Sequence, residues 1–161
     1  MRAEDRMQAL LDTLGRVTTF ATILCPDGIS IRVLNYSGDT DGQWDKLKTV
    51  EDVNKRMDKI TLQAGSRLGT ILSSKVLEPM ILNKAKSHSL KKPVIIVIIT
   101  DGEASSDLDT FYTNFWLILL QPNYEPHQKL RDSIQDCNIG MERLGYEHAS
   151  VVFLISRVGY W

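Results

Sequence analysis

The tightest constraint on how this chain folds is Val94-Ile95-Ile96-Val97-Ile98-Ile99-Thr100, a run of β-branched residues that stops at Asp101-Gly102-Glu103. Branching at Cβ costs side-chain freedom in a helix and suits an extended strand. A continuous apolar run, unlike an alternating one, predicts burial on both faces, as at the centre of a parallel sheet. In open α/β sheets ligands bind at the carboxyl ends of the strands, so Asp101 falls where chemistry is usually placed. The competing reading of Asp101 is a cap for the turn that follows.

The flanking segments supply helices for such a sheet. Ala3, Met7, Leu10, Leu11, Leu14, Val17 and Ala21 recur in three- and four-residue steps and predict an amphipathic helix over Ala3–Ala21. Pro26-Asp27-Gly28 signals a turn, and Ile29–Asn35 alternates like a strand. Tyr36–Trp44 reads as a solvated loop. Its Asp39 and Asp41 fit no EF-hand spacing, and the closing Glu is missing. Thr49 predicts the N-cap of a helix from Val50 to about Lys59, with Glu51 and Asp52 favourable in its first turn.

Ala64–Thr70 is a glycine-punctuated, hydroxyl-rich loop. It opens a helix whose apolar face is Leu68, Ile71, Leu72, Val76, Met80 and Ile81. As a phosphate cradle it lacks the Lys-Ser/Thr ending of a P-loop. Beyond the central strand, the apolar residues Phe111–Leu120 follow neither periodicity. Leu130, Ile134, Cys137, Met141 and Leu144 mark another helix face ending near Gly145, and Ser150–Ile155 predicts a second short buried strand. Alternation of helices and strands in this order predicts a parallel sheet with helices on both faces, in one domain over 1–161.

Composition narrows the function. A net charge of −1 gives no sign of a partner held by bulk electrostatics, so neither nucleic acid nor a membrane surface is expected. Lys84, Lys86, Lys91 and Lys92 read as a solvated loop. Cys25 and Cys137 read as reduced, buried thiols. With no signal peptide and no apolar run of membrane-spanning length, an intracellular, cytoplasmic protein is expected. His88, His127 and His148 have no metal-ligand spacing.

Ile98-Ile99-Thr100-Asp101-Gly102-Glu103 resembles the fourth-strand signature of von Willebrand factor A (vWA) domains. Gly65-Ser66-Arg67-Leu68-Gly69-Thr70 is similar to that family's second metal loop, usually Gly-Gly-Thr-x-x-Gly-Thr. Leu130–Ile134 through Gly145-Tyr146, with Val152–Ser156, resembles the later helix and strand, especially of fungal vWA proteins. The resemblance spans nearly the whole chain except Ser105–Gln128, an atypical stretch read either as an insertion or as translated intron.

The resemblance implies a vWA/Rossmann-like α/β fold and a metal-ion-dependent adhesion site holding Mg²⁺ or Mn²⁺. Asp101 matches the site's third-loop Asp, Ser66 its second-loop Thr, and Thr70 is a second hydroxyl nearby. Oxygen ligands on a hard octahedral ion leave a position that a protein partner's acidic side chain can fill. The family's first loop, Asp-x-Ser-x-Ser, has no counterpart here. The chain opens with Met1 at the place of that motif's own Met, so the expectation is that the first strand and its loop are missing and that the metal is weakly held or absent. The early stop at Trp161 suggests truncation at that end too.

Three functions compete: a vWA-type protein-binding module, a truncated product without function, and a nucleotide-using α/β enzyme. The enzyme reading lacks a glycine fingerprint, a P-loop lysine and a nucleophile–base pair. The expected protein is therefore a binding module and not an enzyme.

Overall fold

A computed structural model describes residues 3–34, 36–60, 67–100, 125 and 128–157. It is mixed helix and strand, and it groups into two compact units: residues 1–63, 99–102 and 155–161, and residues 64–98 and 103–154.

The first unit is built on α1 (Ala3–Leu24) and α2 (Val50–Met57). The three- and four-residue apolar spacing of α1 brings Leu10, Leu11 and Leu14 onto a cluster with Trp44, Leu47, Val53 and Met57. Thr18 sits fully buried on the same face. Its hydroxyl donates to the Leu14 carbonyl at 2.7 Å, so no polar group is stranded there. Thr49 caps α2 as expected: its hydroxyl accepts from Asp52 N–H at 3.0 Å, and the Asp52 carboxylate accepts from Thr49 N–H at 3.3 Å.

Two expectations in this unit need correction. Ile29–Asn35 was expected to be a strand, yet among its described residues, Ile29–Leu34, the pairing is a single antiparallel bridge between Ile29 and Leu47, with a further bond from Ile31 N–H to the Trp44 carbonyl at 3.0 Å. Lys46 takes a φ of 56°, which interrupts the extended course of the opposing segment. Ile29, Ile31 and Val33 still pack on the cluster, so their alternation reports burial without a ladder. Tyr36–Trp44 was expected to be solvated. Instead Asp39, in a 3₁₀ turn over Ser37–Thr40, is wholly buried and accepts from Val33 N–H, while Trp44 is only 2% exposed and lies at 5.5 Å from the Tyr36 ring. The carboxylate serves the backbone, and the indole fills the cluster.

The second unit contains α3, β1 (Val94–Thr100), α4 (Lys129–Arg143) and β2 (Val151–Arg157), each strand's last residues falling in the first unit. Helix α3 is one helical run of three stretches: α-helical Leu68–Leu72, a π-helical stretch Ser73–Leu82, and α-helical Asn83–Lys86. The wider turn accompanies Pro79, which has no N–H to donate, and it closes with Asn83 N–H on the Glu78 carbonyl. Leu72, Leu77, Ile81 and Ala85 of α3 bury against Cys137 and Met141 of α4. Helix α4 ends in a Schellman motif: Tyr146 N–H bonds the Met141 carbonyl at 3.0 Å and Gly145 N–H the Glu142 carbonyl at 2.9 Å, with Gly145 at φ 80°.

β1 and β2 pair in parallel. Burial along β1 alternates, contrary to the expectation of two covered faces. Ile96 and Ile98, with Val151 and Phe153 of β2, face the helices of this unit. Ile95, Val97, Val152 and Leu154 are exposed, Ile95 by 55%. Successive side chains of a strand point to opposite faces, and in this unit α3 and α4 pack on the face that carries Ile96 and Ile98.

Candidate functional site

Of the three residues that the sequence points to, Asp101 and Ser66 lie outside the described residues. Thr70 is described: it is exposed and stands in the first turn of α3. That turn has an unusual beginning. Arg67, at the N-cap position, makes no side-chain cap bond, since a guanidinium has no acceptor to offer. The first N–H groups of a helix have no partner within it, and a local Ser, Thr, Asp or Asn normally accepts from the second or third of them.

Here the acceptor comes from far along the chain. The Glu125 carboxylate takes Gly69 N–H at 2.7 Å with one oxygen and Thr70 N–H at 2.6 Å with the other. The same turn is held on its other side, where the buried Ser133 hydroxyl of α4 donates to the Gly69 carbonyl at 3.1 Å. Gly69 also meets the α4 backbone directly. A Cβ placed on it would lie 2.6 Å from Leu130 N and from Lys129 C. Glycine is required there by close approach and not by a positive φ. Family models, curated proteins and solved structures alike offer no match to this chain.

Sequence reasoning missed Glu125 and Ser133. The only local signal was an absence, an Arg where a helix that starts at Leu68 needs an acceptor. The fifty-odd residues between cap and helix put the acceptor itself beyond any pattern search. Sequence reasoning did anticipate a buried Cys137: it is 1% exposed among apolar neighbours, and burial pushes its thiol pKa up. Cys25 is partly exposed, and both are free thiols.

The candidate donors Asp101, Ser66 and Thr70 are all oxygen, the chemistry that a hard divalent ion takes, and Thr70 presents an exposed side chain while its N–H is committed to Glu125. By donor chemistry the set suits such an ion; of the three, Thr70 alone lies among the described residues. Among the described residues no group of three or more His, Cys, Asp or Glu side chains converges.

A groove of about 390 Å³ in the first unit runs between α1 and α2 and is lined by Gln8, Leu11, Asp12, Arg16, Val50 and Asn54 among others. Gln8 Nε2 donates to Asp12 Oδ1 at 2.8 Å one turn along α1, so these two polar lining groups are already paired with each other. No described helix is long and apolar enough to cross a membrane.

Proposed function

We propose that this chain is a protein-binding module of the vWA type, with a Rossmann-like parallel sheet, and not an enzyme. Its proposed site is a weak Mg²⁺ or Mn²⁺ centre in which Asp101 supplies the anionic ligand and Ser66 and Thr70 the neutral oxygens. The observation that carries the reading is the parallel pairing of β1 with β2, the β1 run ending at Thr100 directly before Asp101. A carboxylate that follows a parallel strand is placed where α/β sheets present ligands. When bound, the ion would polarise and orient the acidic side chain of a protein partner. Thr70 would present its hydroxyl from a helix turn that Glu125 and Ser133 hold in place.

One carboxylate and two hydroxyls bind such an ion weakly, because Mg²⁺ gives up its water reluctantly. Affinity in the millimolar range is therefore expected. Titration of the ¹⁵N-labelled protein with Mn²⁺ tests this, since paramagnetic broadening reports proximity. Thr70 should broaden at the lowest Mn²⁺ concentrations, and Asp101→Ala should abolish the effect. Broadening that first strikes other carboxylates, with Thr70 untouched, would sink the proposal.

A further inference from the structure

Helix α3 starts without a local cap, and its start carries one of the proposed metal ligands. Four facts converge on that turn. Arg67 cannot accept a hydrogen bond. Gly69 and Thr70, the second and third residues of the helix, are those whose N–H groups a local N-cap side chain would take. Both are taken by the two oxygens of Glu125, from 56 and 55 residues away. The opposite side of the turn is fixed independently by Ser133 and by backbone contact at Gly69.

We propose that Glu125 is a positioning residue: it acts as the remote N-cap of α3, and the conformation of the Arg67–Thr70 turn, with the placement of Thr70, depends on its carboxylate. A carboxylate suits this task better than a neutral acceptor would. It offers one oxygen to each of two adjacent donors, and its charge sits against the positive end of the helix dipole. Without it the two N–H groups turn to water, and the first turn frays from its N-terminal side. Gly69 would remain tethered through its carbonyl, so fraying would fall on Thr70 and Arg67 more than on the α3–α4 crossing. The part of this proposal that concerns metal rests on the reading of the preceding subsection; the capping role does not.

The test compares the full chain with Glu125→Gln, which keeps the shape and one acceptor but loses the charge and the second acceptor. Amide hydrogen exchange in the absence of metal is the first readout. Gly69 and Thr70 should exchange about tenfold faster or more, the counterpart of one lost charge-assisted hydrogen bond, while the amides of α4 keep their protection. A second substitution, Arg67→Ser, supplies a local acceptor at the N-cap and should restore slow exchange in the Glu125→Gln background. Rescue of this kind is expected of a cap and not of a side chain that merely packs. Unchanged exchange at both amides would overturn the proposal. So would a loss of protection shared equally by α4 and left unrescued by Arg67→Ser. Mn²⁺ broadening of Thr70, run on the same variants, separates the two claims. If the original chain shows none, the metal reading fails while exchange still decides the cap. If it does, Glu125→Gln should weaken the effect several-fold and Arg67→Ser should recover it; equal broadening in all three would overturn the positioning role.

Discussion

At the scale of single residues, the polar groups that matter most in this protein are those serving backbone donors. Asp39 is buried for Val33 N–H, Glu125 reaches Gly69 and Thr70, and Asp52 closes the capping box with Thr49. Only the last was partly legible in sequence: Thr49 read as the N-cap and Asp52 as a favourable charge in the first turn, and the structure joins them in a capping box. Hydrogen bonding with the Thr49 side chain, followed by backbone contacts at Lys48 and Thr49 and the charge of Arg56, outweighs desolvation and holds the Asp52 carboxyl below its ordinary value of 3.8. A carboxylate with a depressed folded-state pKa stabilises the fold above its unfolded pKa, and that contribution is lost as pH falls through the folded value. Melting temperatures of the original chain and Asp52→Asn should therefore differ by a constant amount at neutral pH. The gap should close only below the ordinary carboxylate range, and a gap that persists at still lower pH would contradict this account of the cap.

At the scale of elements, periodicity located the helices well and the strands less well. The three- and four-residue steps of Ala3–Ala21 and of Leu130–Leu144 predicted α1 and α4 closely, with the Gly145 stop. The β-branched run predicted β1 residue for residue, but its uniform apolarity concealed that Ile95 and Val97 are exposed while Ile96 and Ile98 are buried. Ile29, Ile31 and Val33 alternate because they pack on the cluster, and their neighbour Lys46 turns away before a ladder can form. The π-helical stretch of α3 was invisible because Pro79 reads as a helix breaker and not as a widened turn. The α3–α4 crossing at Gly69 leaves no room for a side chain. A methyl group there meets backbone atoms at 2.6 Å, which cannot move aside as a flexible side chain can. Gly69→Ala should destabilise the protein by about 1–3 kcal/mol, the usual cost of overpacking, in chemical denaturation. A loss below about 0.5 kcal/mol would mean that the helices separate more easily than their contacts suggest.

At the scale of the whole molecule, each of the two units has its own apolar cluster, one around Val53 and Trp44 and the other around Leu77, Ile81 and Cys137. Local patterning identified Leu14, Leu72, Ile81, Cys137 and Met141 among them but missed Leu77, which falls in the π-helical stretch, and Trp44, which sits in a stretch that reads as polar. In the candidate site, Asp101 stood out by its place at the end of the β-branched run, whereas Ser66 and Thr70 were read only from a resemblance of short motifs, because metal ligands contributed by separate loops share no periodicity; Asp101 and Ser66 lie outside the described residues. The proposed function turns on Asp101 as the anionic ligand of a weak divalent-metal site. The most direct test is a thermal melt of the chain with and without millimolar Mn²⁺ or Mg²⁺, alongside Asp101→Ala. Binding to the native state alone raises stability by about 1.4 kcal/mol when the ion stands at tenfold its dissociation constant. The account predicts a cooperative transition whose midpoint rises with metal in the original chain and stays fixed in Asp101→Ala. An unmoved midpoint in the original chain, or an equal rise in both proteins, would contradict it.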